Sequence, residues 1–207
     1  MTELTKKIIS NFFDELLFET ERKIQNETIA SILENRNPVT LELFAENIDN
    51  YLYFLVCQRV TTSFSTRLGK VMEKLTEELI KAQNGQILKS PKPYDLKFIL
   101  NDGSEYWIEI KSIDGQNSSN RQTIAERKKD AEKKGKIFKL CIYNDETKFN
   151  EDYKLNGNEF WDFIVGQKNA KEEVFKILNG KGKSFSIKEI IMVNHKRLLT
   201  EYKKNYG

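Results

Sequence analysis

The sequence predicts an α/β (α+β) protein, a mixed β-sheet core flanked by helices and preceded by a helical N-terminal region. Three observations predict it. The first eighty or so residues place apolar side chains at helical spacing, residues 93–111 alternate like a hairpin, and the stretch beyond reads strand, helix, strand. A chain of 207 residues is compatible with one domain. The expected organisation is a helical N-terminal region over 1–65, a core over 66–145 and a mostly helical C-terminal part over 146–207.

In chain order, Ile8, Ile9, Phe12, Phe13, Leu16 and Leu17 fall on one helical face. Asn37-Pro38 interrupts that pattern, and Thr40 is a candidate N-cap for a helix through Leu43, Phe44, Ile48 and Leu52. Tyr51–Cys57 is apolar all round, which predicts a helix buried on every side or shared with a partner subunit. The polar stretch Thr61–Thr66 predicts a break. A second helix is expected from Arg67 to about Gln83, with Leu68, Val71, Met72, Leu75 and Leu79 on one stripe, ending at Asn84-Gly85. Glu73 lies with Gly69 on the flank of that stripe. It reads either as an acid leaning toward a site beside the core or as an exposed acid that aids solubility.

Residues 93–111 carry the chemistry. Pro93-Tyr94-Asp95-Leu96-Lys97-Phe98-Ile99-Leu100 is followed by Asn101-Asp102-Gly103 and then by Ser104 to Lys111, including Glu109-Ile110-Lys111. A three-residue loop closed by a left-handed glycine places Leu100 across from Ser104 and Asp95 across from Glu109. Opposed residues lie about 4.5–5.5 Å apart at Cβ, close enough for two carboxylates to bind one cation. Leu96, Phe98 and Leu100 then share the other face with Ile108 and Ile110. A two-residue Asp102-Gly103 turn would instead pair Asp95 with Ile110 and put the acids out of phase. Lys111, on the side of Glu109, suits an attacking water and a phosphate. Acid-x-lysine spacing by itself carries little information here, since Glu21-Lys23, Glu132-Lys134, Glu146-Lys148 and others share it. The strand setting and the opposed acid distinguish Glu109-Lys111.

Downstream, 114–120 is a polar loop, a helix is expected from Arg121 to Lys134 ending at Gly135, and Lys136–Tyr143 reads as a buried strand parallel to the one before it. Arg121, Arg127, Lys128, Lys129, Lys133, Lys134, Lys136 and Lys139 form a basic cluster against Glu126, Asp130 and Glu132; a solvated helix face is the simplest account of it. Short helices flank Gly166, Gly180-Lys181-Gly182-Lys183 is a loop, and Ser186-Ile187-Lys188-Glu189 is a capping box for a helix reaching about Lys204. His195, the only histidine, is expected on a solvated helix face.

The net charge of +3 excludes a general polycation, so affinity for nucleic acid must come from local clustering. Two cysteines, Cys57 and Cys141, lie in apolar runs and read as buried free thiols, with neither a disulfide frame nor a zinc site. The charged N-terminus lacks the apolar stretch of a signal peptide, and Tyr51–Cys57 is too short to span a bilayer. The expected location is the cytoplasm, away from membranes.

The order of helix, strand, strand with Asp95, strand with Glu109-x-Lys111, basic helix and strand resembles the core of the PD-(D/E)xK nuclease superfamily, over roughly Arg67 to Tyr143. Within it, the chain looks most like a small type II restriction endonuclease. Pro93-Tyr94-Asp95 departs from the plain Pro-Asp pair by one inserted residue. The resemblance implies a restriction-endonuclease-like fold and a single nuclease domain. It also implies Mg²⁺ held by Asp95, Glu109 and the Ile110 carbonyl, Lys111 as the catalytic lysine, and Glu73 as a helix-borne acid. It implies hydrolysis of double-stranded DNA to 5′-phosphate ends, by a homodimer that uses its N-terminal helices as the dimer surface. Gln116, Asn117, Asn120 and Arg121, leaving the strand beside Lys111, are candidates for base contacts, with Lys128 for the basic helix. Alternatives are a repair or junction-resolving nuclease on the same core, or a DNA-binding protein that keeps this fold without catalysis.

Overall fold

The computed structural model describes residues 1–34, 37–44, 46–89, 92–113 and 118–206. The elements run α1 (Glu3–Gln25), α2 (Ile29–Leu33), α3 (Pro38–Leu43), α4 (Ile48–Ala82), β1 (Gln86–Ile87), β2 (Leu96–Ile99), β3 (Glu105–Lys111), α5 (Ser118–Lys133), β4 (Ile137–Ile142), β5 (Lys154–Leu155), α6 (Gly157–Val165), α7 (Ala170–Gly182) and α8 (Ile187–Tyr206). The strands form one sheet in sequence order, antiparallel from β1 to β3 and parallel from β3 to β5. The expected α/β class with a mixed sheet and flanking helices is therefore observed. The chain divides into two compact units: residues 1–12 with 69–179, which hold the whole sheet, and residues 13–68 with 180–207, which are helical. No described helix is long and apolar enough to cross a membrane.

In the sheet unit the hairpin adopts the three-residue loop. Gly103 sits at φ +82°, Gly103 N–H donates to the Leu100 carbonyl, and Leu100 N–H donates to the Ser104 carbonyl at 3.0 Å. The recorded pairs run from Ile99 opposite Glu105 to Leu96 opposite Ile108. One face of the hairpin is apolar, as expected: Leu96, Phe98, Ile108 and Ile110 are buried, and Phe98 and Tyr106 pack against Phe163 of α6. The other face meets α5 in a cluster of Tyr94, Trp107, Ile124, Ala131, Phe138, Leu140 and Ile142. Asn84, at φ 61°, takes the left-handed position that ends α4, and Gly85 is needed because a Cβ there would lie 2.6 Å from Ile80 Cγ2. Gly135, at φ +67°, closes α5.

In the helical unit Ile24, Ile29, Ile32, Tyr51, Leu52, Leu55, Val56, Val60, Ile190 and Leu198 form the core. Several expectations are corrected here. Asn37, not Thr40, caps α3: its side chain accepts from Val39 and Thr40 N–H, with Pro38 in the first helical position, where its missing donor costs nothing. The break over Thr61–Thr66 does not exist, because α4 runs through it. The Thr61 hydroxyl returns its hydrogen bond to the Cys57 carbonyl at 2.7 Å, and tertiary packing overrides the weak helix propensity of these residues.

Tyr51–Cys57 is not buried all round. Tyr53 and Phe54 stay exposed, and Cys57 is only half-buried, whereas Cys141 is buried as expected. His195 is not solvated: its Nε2 lies 2.9 Å from Asp49 Oδ1, and its ring meets Tyr53 edge-on. Asp49 and Tyr53, one turn apart on α4, account for this. Gly180 and Gly182 continue α7 rather than forming a loop, with Lys181 paired to Asp14. The capping serine of α8 is as expected, Ser186 Oγ accepting from Glu189 N–H.

Candidate active site

The end of β2 builds the site. Its recorded pairing with β3 stops at Leu96 opposite Ile108; Asp95 lies just outside it, and the expected opposition of Asp95 to Glu109 is not among the recorded pairs. Asp95 N–H donates to the Ile108 carbonyl at 3.1 Å, and Asp95 Oδ2 accepts from Ile110 N–H at 2.7 Å. The aspartate side chain thus takes over a ladder donor that β2 no longer reaches, at the strand edge where the Ile110 carbonyl also lies. Tyr94, just before it, anchors this strand end to α5, with its hydroxyl 2.8 Å from the Arg127 carbonyl and 2.9 Å from Asp130 Oδ2.

Glu109 is only 2% exposed and carries a charge in the middle of a buried strand. A buried carboxylate without partners costs several kcal/mol, so its neighbours decide whether the strand can keep it. Lys111 Nζ lies 2.5 Å from Glu109 Oε1, and Arg127 of α5 pairs with Oε2. Arg127 reaches the sheet because it shares the inner stripe of α5 with Ile124 and Ala131, at i+3 and i+7. Its Nε is buried with no hydrogen-bond partner.

Electrostatics ties Glu73 to the same cluster. Although its side chain reaches solvent, partial desolvation pushes its carboxyl up, and Asp95 adds to the rise while Lys111 opposes it. Burial also raises Asp95, with a further rise from Glu109; the Ile110 hydrogen bond and the charges of Lys111 and Arg127 pull the other way. Glu73, Asp95, Glu109, Lys111 and Arg127 therefore form one electrostatic group. Beside it, Lys97 Nζ sits 3.7 Å over the Trp107 ring, and burial holds its ammonium below the usual lysine range.

The donor set suits a hard divalent cation, which takes carboxylates, carbonyls and waters. Asp95, Glu109, the Ile110 carbonyl and Glu73 are the oxygens on offer, and the carboxyls of Asp95 and Glu73 are both raised, chiefly by burial. Among the described residues, no three acidic, histidine or cysteine side chains converge closely enough to hold a metal ion as they stand. Both oxygens of Glu109 are engaged, one by Lys111 and the other by Arg127.

The other expected contacts are placed less tightly. Gln116 and Asn117 lie outside the described residues, and Asn120 is in the first turn of α5, its side chain also outside them. Arg121 is exposed within α5, which begins at Ser118 rather than at Arg121. Lys128 pairs with Glu132 at 2.6 Å and stands over the Tyr153 ring. The residue that sequence reasoning missed is Arg127, counted only within the basic cluster. The available signal was its spacing, one turn from Ile124 and one turn from Ala131 on an otherwise polar helix.

Comparison with known proteins leaves the site as the guide. No family model matches the chain, and no curated protein matches it.

Proposed function

We propose that this protein is a Mg²⁺-dependent endonuclease of double-stranded DNA, of the type II restriction kind, with a restriction-endonuclease-like core. The observation that carries the reading is that Asp95 accepts from Ile110 N–H while Glu109, the residue before it, pairs with Lys111, which brings two acids and a lysine to one end of β3. Asp95, Glu109 and the Ile110 carbonyl would hold the ion, with Glu73 as a further acid. Bound Mg²⁺ would supply Lewis-acid polarisation of the scissile phosphate and an acidified water. Lys111, freed from Glu109, would orient that water and hold a proton near the attacking oxygen. Arg121 and Lys128, exposed and half-buried on α5, are the described candidates for DNA contacts. Homodimerisation on palindromic sites is part of the proposal, since two-fold protein symmetry matches two-fold DNA symmetry. The exposed rings of Tyr53 and Phe54 support an apolar contact on the helical unit. A cytoplasmic location fits the half-buried and buried free thiols.

One observation favours a second reading, a DNA-binding protein without catalysis: both oxygens of Glu109 are engaged by cations. Digestion of plasmid and phage DNA with and without Mg²⁺ separates the two. Discrete Mg²⁺-dependent bands support the restriction enzyme, and a smear points to a repair-type or nonspecific nuclease on the same core. DNA that is bound and stays intact supports the second reading.

A further inference from the structure

We propose that Arg127 is a phosphate-binding residue held in reserve, neutralising Glu109 until a divalent cation takes that carboxylate and releases the guanidinium to a DNA phosphate. The proposal rests on the nuclease reading above and adds a residue from α5 that the acid, acid, lysine motif does not contain.

Four observations lead to it. Glu109 is buried, and its two oxygens face two different cations, one from its own strand and one from the crossover helix. A divalent ion that needs this carboxylate must displace at least one of them. Arg127 is under-satisfied where it stands, because its Nε is buried without a partner. A guanidinium has five donors in a rigid fork, yet only one is recorded on Glu109, whose other oxygen is on Lys111, so a phosphate met bidentately offers it more. Its backbone is meanwhile fixed, since the Arg127 carbonyl lies 2.8 Å from the Tyr94 hydroxyl, one residue from Asp95. The side chain can therefore change partner without movement of the helix, and at 21% exposure it already borders solvent.

The test compares wild type with Arg127→Gln and Arg127→Lys. Calorimetric titration of the DNA-free protein with Mg²⁺ is expected to show about tenfold tighter binding by Arg127→Gln, because the competing charge-assisted bond is gone. Binding of labelled plasmid fragments, checked on a gel to be uncut, is then measured with Ca²⁺ and with chelator. Arg127→Gln is expected to lose about tenfold with the cation and nothing in chelator, where Arg127 is still on Glu109. Arg127→Lys keeps a charge on Glu109 and covers the case in which Arg127→Gln does not fold; it too should lose duplex affinity only with the cation present. Unchanged or weaker Mg²⁺ binding by Arg127→Gln, or equal losses of duplex affinity with and without cation, overturns the proposal and leaves the nuclease reading intact. If wild type binds no Mg²⁺ and Asp95→Asn changes nothing, the metal-site reading fails and the role of Arg127 falls with it.

Discussion

The two faces of β3 are buried to the same depth by different means. Ile108 and Ile110, at 0% and 7% exposure, lie on the face that Phe98 and Phe163 close by apolar packing. Glu109, between them at 2%, is closed in by Lys111 and Arg127. Apolar packing has no substitute partner, so the first face is a fixed part of the core. Ion pairs can be exchanged for other charges, so the second is closed only until a better partner arrives. Adjacent residues of one strand thus face an apolar packing and an ion-paired one, because successive side chains point to opposite sides of a sheet.

Substitutions on each face should separate the two. Lys111→Ala is expected to slow Mg²⁺-dependent cleavage by about 10²–10⁴-fold, while the protein still melts as a folded species; single-turnover digestion alongside a thermal melt checks both. Cleavage at the wild-type rate would remove Lys111 from the mechanism. Phe98→Ala should do the reverse, costing about 3–5 kcal/mol in urea unfolding while cleavage per folded molecule persists.

Gly103→Ala tests the turn that keeps the faces apart. A side chain at φ +82° is strained, and a loss of about 1 kcal/mol or more is expected in the same urea assay. The smallest effect on stability is expected from Asp95→Asn. Burial raises the Asp95 carboxyl, so the fold favours its neutral form, and metal-free stability should fall as pH rises from the ordinary carboxylate value through the raised one. Asp95→Asn should flatten that part of the profile and slightly raise the neutral-pH melting temperature. Added Mg²⁺ should then stabilise wild type more than the variant, and equal Mg²⁺ shifts would remove Asp95 from the ion's ligands.

Much of the sheet unit was legible because its signals are local. Asn101-Asp102-Gly103 specifies its own turn, and the turn specifies the pairing from Ile99 opposite Glu105 to Leu96 opposite Ile108. Gly135 and Gly166 mark helix ends in the same way, each at positive φ. The helical unit was read less well, since nothing local says that Thr61–Thr66 continues a helix or that His195 meets Asp49. Both depend on residues distant in sequence. Arg127 falls between the two cases: its helical spacing was visible, but its partner Glu109 lies across a strand-to-helix crossover.

The sequence by itself determined the class of the fold and the hairpin register next to the turn, because turn geometry and two-residue alternation act over a few residues. Only the tertiary structure decided what balances the charge of Glu109. That balance depends on Arg127 of α5 reaching Glu109, and α5 is held on the sheet by the packing of Ile124 and Ala131 with Tyr94, Trp107 and Phe138, which no short-range pattern connects to them.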